Sequence, residues 1–272
     1  MWINHGATKF IFYQQTVSKE VDALIRMYEH DKTIEIERVP WGTIPLSENT
    51  TEEEDPNKEI FRAEQVMVWN DCILRSRGKT EYLALADFDE HTYLKATNPT
   101  EIRFDDHYKF DVESKVYPKG LMSKAVVIPE RVESQIVHET LRMEKPFKEH
   151  IVNPKTARLL HLRLQPMKHS MSGLYISTTE VAKYIPAWSR RYKKILNDEI
   201  ERLKNLTSLA ELTLKTKRWK NNGHEVMKET DSCFEALRSE EKVCPTQYRC
   251  LAHLQTMKYD EWVNGGSSWV AL

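Results

Sequence analysis

Apolar and polar positions along this chain recur in two periods, and the switches between them lay out most of the predicted elements. Thr8-Lys9-Phe10-Ile11-Phe12-Tyr13 predicts a short buried strand. Ser18 is placed to cap a helix in which Val21, Leu24, Ile25 and Tyr28 return to one face. Ile34-Glu35-Ile36-Glu37-Arg38-Val39 then alternates with a period of two, as a second strand. Together these make a βαβ unit, whose crossover is expected to be right-handed.

From Pro40 to Glu59 the periodicity disappears. Trp41-Gly42, Pro45, Pro56 and the acidic run Glu52-Glu53-Glu54-Asp55 predict an exposed loop. A helix is predicted from Phe61 to Arg77, with Val68 and Cys72 on one side and Val66, Trp69 and Ile73 beside them. Arg75 and Arg77 suit its last turn, and Gly78 its stop. Glu81-Tyr82-Leu83-Ala84-Leu85-Ala86-Asp87-Phe88-Asp89-Glu90 comes next, an apolar run long enough for one buried strand that ends at three carboxylates. Two more strands are predicted at Lys124–Pro129 and Thr156–Leu164. Beyond Ser177 the pattern shifts to charged helices, Thr179 to Tyr184 and Trp188 to Leu214, the second with Ile195, Ile200, Leu203 and Leu206 at near-helical spacing. The order predicts an α/β fold: a core over residues 1–176 and a helical carboxyl-terminal portion over 177–272 packed on the same domain.

Composition narrows the class. The chain has 272 residues, 40% hydrophobic and 30% charged, with a net charge of -1. That balance argues against a nucleic-acid binder or a polybasic membrane module. No apolar run approaches the roughly 18 residues of a membrane span, and no signal-peptide layout opens the chain. It is expected to be soluble as it stands and, because it reaches a strand within its first ten residues, to lack an upstream part. Four cysteines, Cys72, Cys233, Cys244 and Cys250, show no zinc-site pairing. Three cluster near the carboxyl end, where a bridge closes a loop if the compartment is oxidising. Asn49-Thr50-Thr51 and Asn205-Leu206-Thr207 are formal glycosylation acceptors, whereas Asn98-Pro99-Thr100 is excluded by its proline.

The candidate chemistry sits at the end of the Glu81–Ala86 run. In an extended backbone Asp87 and Asp89 point the same way, and Phe88 points oppositely. Paired carboxylates on one face suit a hard divalent cation such as manganese or magnesium. A diphosphate brought within about 4 Å of them meets a repulsion of roughly 4 kcal/mol per charge pair at an effective dielectric near 20, so phosphate binding here requires a metal.

Several blocks then occur in order. They are His5-Gly6-Ala7-Thr8-Lys9-Phe10-Ile11-Phe12-Tyr13, Gln65 with Asn70-Asp71-Cys72-Ile73-Leu74-Arg75, Asp87-Phe88-Asp89-Glu90, Ser123-Lys124 to Ile128-Pro129-Glu130 with Val137-His138, and His161-Leu162-Arg163. Over residues 5 to 165 the chain thus resembles glycosyltransferase family 92. The resemblance implies a nucleotide-sugar-binding fold of the GT-A type, a mixed, mostly parallel sheet flanked by helices. It further implies galactosyltransferase-like transfer of a hexose from a UDP-sugar to a glycan or glycoprotein acceptor, a manganese or magnesium ion, and a Golgi membrane anchor that this chain does not show.

Carried onto this sequence, the resemblance implies metal ligation by Asp87, Asp89 and His161. Nucleotide-sugar contacts fall to Tyr13, Asp71, Arg75, Asp87 and Arg163, and Glu90 is the candidate catalytic carboxylate shaping the donor pocket. Structural roles stand beside these: Glu90 as a turn or cap residue, His161 as a core histidine, Arg163 in an ion pair, Asp71 and Arg75 as an intrahelical pair, Tyr13 as edge packing. His91-Thr92-Tyr93-Leu94-Lys95 and Leu162 depart from the family pattern. A catalytically inactive or truncated binding module, and a metal-dependent phosphohydrolase, are the alternative functions.

Overall fold

A computed structural model of the protein describes residues 2–60, 65–86, 99–102, 104, 110–113, 120–121, 123–153, 155–157, 175–204, 219, 223–239, 249–250 and 262–266. Their strands are β1 (Lys9–Gln14), β2 (Thr16–Ser18), β3 (Glu35–Pro40), β4 (Leu83–Ala84), β5 (Phe110–Glu113), β6 (Val126–Val127), β7 (Val132–Gln135), β8 (Thr140–Met143), β9 (Tyr175–Thr178) and β10 (Trp262–Asn264). The α-helices are α1 (Lys19–Glu29), α2 (Gln65–Ser76), α3 (Ile185–Leu203) and α4 (Gly223–Ser239). Contacts divide the chain into two units. One comprises Gln65–Leu94 and Phe104–Pro186; the other comprises Trp2–Glu64, Lys95–Arg103 and Ala187–Leu272. The units interleave along the sequence.

In the second unit the predicted βαβ element forms. β1 and β3 pair in parallel with Lys9 opposite Glu35 and Gln14 opposite Pro40, and α1 crosses between them. The Ser18 hydroxyl accepts from the Val21 amide at 3.3 Å, and Glu20 and Asp22 lie in the first turn, where the helix dipole favours them. The buried face departs from the expected one at Val21, while Ile25 is buried and Leu24 and Tyr28 are half-buried. Val21 is exposed, and Asp22, Ala23, Ile25 and Met27 are buried. In α3 Ile195 and Leu203 are buried as expected, with Trp188, Tyr192, Leu196 and Glu199 beside them, while Ile200 is only half-buried. Leu203 meets Ala23. Arg191 bridges to Asp31 at 2.6 Å, and Glu199 receives His30 Nδ1 at 3.0 Å and Arg202 at 2.6 Å. Among the described residues, then, α1 and α3 meet through apolar Ala23 and Leu203 and through ion pairs just past the carboxyl end of α1.

The carboxyl-terminal segment closes this unit. β10 pairs antiparallel with β2, and the Gly265 amide donates to Gln15 O at 2.7 Å. A Cβ at Gly265 would lie 2.0 Å from Gln14 O, so only glycine permits this approach. Cys233 of α4 forms a disulfide with Cys250; Cys72 is a buried thiol, and Cys244 lies outside the described residues. The loop after β3 is anchored rather than wholly exposed. Trp41 is buried, and buried Asn57 clasps Ile44 with its Oδ1 accepting from the amide at 2.7 Å and its Nδ2 donating to the carbonyl at 3.0 Å.

In the first unit α2 ends as predicted, with Gly78 at φ +69° beyond its last turn. Trp69 and Ile73 pack with Leu85, Val127 and Val132, whereas Val66, expected beside them, is 43% exposed. The run after Gly78 is not one long buried strand. β4 holds two residues and pairs antiparallel with β6, and Leu85 N extends the ladder to Ala125 O at 3.0 Å. Leu85 is 4% exposed and Tyr82 59%, with Ala84 also outward, so one face only is covered. Among the described residues β1·β3 is parallel, and β10·β2, β4·β6, β5·β9 and β7·β8 are antiparallel. The described elements make a mixed α/β protein of small sheets and several helices, without the parallel majority expected. The strand predicted at Thr156–Leu164 lies outside the described residues from Arg158 onward. Among the described residues no helix is long and apolar enough to cross a membrane.

Candidate functional site

The described part of β4 and its continuation stops at Ala86, one residue before the carboxylate cluster. Asp87, Asp89, Glu90, His161 and Arg163 all lie outside the described residues. What the structure gives is the mounting of the strand that leads to them. Leu83 and Leu85 are pinned against α2 and β6, and Arg77, from the turn before, donates to Pro129 O at 3.2 Å and to Val132 O at 2.6 Å. Glu130 accepts from the Gly78 amide at 2.7 Å, and that hydrogen bond lowers its carboxyl pKa. The approach to Asp87 is therefore tied on both sides of the Gly78 turn.

On α2 of the same unit, Arg75 donates from Nε at 3.1 Å and from Nη2 at 3.0 Å to one oxygen of Asp71. This is the intrahelical pair expected of an i, i+4 spacing, and both side chains are about one-third exposed. Asn70, one position away, does what the sequence did not suggest. Its Oδ1 accepts from Gln135 N at 3.0 Å and its Nδ2 donates to Gln135 O at 2.9 Å, so an amide side chain completes the edge of β7 as a neighbouring strand would. Gln135 is buried and accepts from the Thr140 hydroxyl at 2.7 Å. His138 is likewise structural: its Nδ1 lies 2.9 Å from Ser123 O, and the Ser123 hydroxyl donates to His138 O at 2.7 Å.

In the other unit Tyr13 sits near the carboxyl end of β1, its ring edge-on to Trp41 at 5.1 Å between centroids. Beside it the carboxyl ends of the parallel pair carry a cleft of about 180 Å³ lined by Gln14, Asp22, Arg26, Arg38, Asn264 and Gly265, among others. Such an edge is where α/β sheets take ligands. Here the charges are already matched: Arg26 Nε donates to Asp22 Oδ2 at 2.6 Å, and Arg38 reaches Asp22, Glu29 and Gln14. Burial works to raise the Asp22 carboxyl, but the two guanidinium groups outweigh it and its pKa lies below the ordinary value. Burial likewise works against Arg38, and Glu29 and Asp22 reverse it, so its pKa is raised. With opposite charges paired, and a volume below the 300 Å³ or so at which small-molecule sites begin, the cleft serves to lock α1 on β3. Sequence reasoning passed over Asp22 because Val21 fitted the helical face better; only its first-turn position hinted at a role.

The comparisons with known proteins show a likeness to one glycosyltransferase family. The family model that matches is that of glycosyltransferase family 92, over residues 1–119. A glycosyltransferase family 92 protein of Caenorhabditis elegans is 22% identical over 213 residues, which cover 67% of this chain and 40% of that protein. The chain thus aligns with well under half the length of this curated relative. No solved structure matches the chain. The resemblance read from the ordered sequence blocks is borne out by the match to glycosyltransferase family 92 over residues 1–119.

Proposed function

We propose that the protein is a metal-dependent glycosyltransferase that moves a hexose, galactose by family expectation, from a UDP-sugar to a glycan or glycoprotein acceptor. The observation that carries this reading is the family match over residues 1–119, a span that contains both Asp87 and Asp89. Their hard carboxylate oxygens, with the imidazole of His161, form a donor set suited to manganese or magnesium. Among the described residues no group of three His, Cys, Asp or Glu side chains is arranged to hold a metal ion. When bound, the cation supplies Lewis-acid neutralisation of diphosphate charge. By the same resemblance Glu90 is the candidate for shaping the donor pocket, Arg163 for a phosphate contact, and Tyr13, Asp71 and Arg75 for uridine contacts. The setting is an oxidising lumen, that of the Golgi by family expectation, which the Cys233–Cys250 disulfide supports.

Calorimetric titration with UDP, with and without manganese, tests the binding step. Manganese should tighten binding at least about tenfold, a difference of roughly 1.4 kcal/mol, and Asp89→Ala should abolish that gain. Affinity indifferent to the metal would sink the reading. Transfer from radiolabelled UDP-galactose over a glycan panel then tests the chemistry. Binding without transfer would favour a non-catalytic module, and phosphate release without an acceptor a phosphohydrolase.

A further inference from the structure

Asn49-Thr50-Thr51 has no part in the site above, yet the fold presents it as a modification site. The loop that carries it is held from within by buried Trp41 and by the Asn57 clasp on Ile44. Its outer part turns at residues 47–50, where the Thr50 amide donates to Ser47 O at 3.0 Å and the two hydroxyls lie 2.8 Å apart. Asn49 is exposed at the tip of that turn. Thr51, which supplies the hydroxyl two residues on, is also exposed, with its Oγ1 donating to Glu54 at 2.9 Å. No proline occupies the middle position, and Glu52 follows the triplet. A bulky group on Asn49 would project into solvent without displacing any packed residue.

The contrast with Asn98-Pro99-Thr100 is informative. There the middle residue is proline, and Pro99 is buried with its carbonyl accepting from the Tyr192 hydroxyl at 2.8 Å. Asn205-Leu206-Thr207 lies outside the described residues. The compartment argument is independent of all three. Cys233 and Cys250, in the unit that also carries Asn49, are joined in a disulfide, a bond that persists where thiols are oxidised.

We propose that Asn49 is an acceptor of an N-linked oligosaccharide. The donor class is a lipid-linked oligosaccharide diphosphate. Asn49 Nδ2 attacks the anomeric carbon of the first sugar, the carbon–oxygen bond to phosphate breaks, and a carbon–nitrogen bond forms. The lipid diphosphate leaves with the electron pair, and the displaced amide proton passes to a base of the transferring enzyme. The proposal rests on the oxidising compartment of the reading above and not on its transfer chemistry.

The test is to secrete the full chain from insect or mammalian cells behind a cleavable signal and to map its peptides before and after peptide-N-glycosidase. The peptide containing Asn49 should carry a glycosidase-sensitive mass that is completely lost in Asn49→Gln and in Thr51→Ala and is kept in Thr51→Ser. Unmodified Asn49 in secreted protein, or a mass on that peptide surviving Asn49→Gln, overturns the proposal. Oxidised Cys233–Cys250 in the same digest confirms passage through the compartment. UDP titration of the same sample separates failure here from failure of the glycosyltransferase reading.

Discussion

The two units bury polar groups in opposite ways. The unit built on β1, α1 and β3 hides charges, with Asp22 between Arg26 and Arg38 and Glu199 between His30 and Arg202. The unit built on α2, β4, β6, β7 and β8 hides neutral amides, with Asn70 paired to the backbone of Gln135 and Gln135 to Thr140. Charge pairs lose much of their worth when one partner is neutralised, because the other is left desolvated. Neutral pairs depend on geometry alone and are indifferent to pH. Two similar layers of helix on strand should therefore fail under different conditions.

The largest effect should follow from Asp22→Asn. Half-buried Arg38 then keeps only Glu29 of its two counter-charges, and Arg26 loses its partner, at a cost of roughly 3 kcal/mol to the unit that holds them. Native-state amide exchange should show β1 and β3 losing protection while β7 and β8 keep theirs; equal loss in both would erase the distinction. Acid should mimic the substitution. Asp22 lies below its ordinary value, as does Asp31, where burial is outweighed by Thr33 and Arg191. A carboxyl depressed on folding contributes stability above the unfolded value of about 4 and loses it as pH falls through the folded one. Protection of β1 and β3 should thus fall below about pH 4, and less steeply in Asp22→Asn.

Asn70→Ala sharpens the other side of the comparison. It leaves both the N–H and the C=O of buried Gln135 without their side-chain partner, which should cost about 2 kcal/mol. The loss should appear in β7 exchange and be the same at pH 7 and pH 4; a pH-dependent loss would show that charges govern this unit too. The smallest effect is that of Ser18→Ala, which removes the α1 cap for about 1 kcal/mol. Helical amides from Val21 onward should exchange faster, with α2 unaffected.

Much of this was readable along the chain. Ser18 and Gly78 bound their helices as the sequence predicts, because a cap and a left-handed stop act within one turn of backbone. The Lys9–Gln14 and Glu35–Pro40 strands fall within one residue of their predicted bounds, although Phe10 to Tyr13 are half-buried rather than buried. The length of the strand before Asp87 was not readable. An apolar run looks the same whether both faces are covered or one, and here only the Leu83 and Leu85 face meets α2. The candidate residues Asp87, Asp89 and Glu90 are legible as a carboxylate cluster, since their spacing is itself a local property of the chain.

By itself, then, the sequence determined the element types, their caps and stops, the carboxylate cluster and the family resemblance. All of these depend on residues near one another in the chain or on their order. The tertiary structure alone decided that Asp22 and Glu199 occupy buried slots, that Asn70 stands in for a strand, that Cys233 pairs with Cys250, and that Gly265 must be glycine. Each of those depends on a partner distant in sequence. A buried charge is tolerable only once its counter-charge arrives, and a missing side chain matters only where another backbone comes within 2.0 Å of where it would stand.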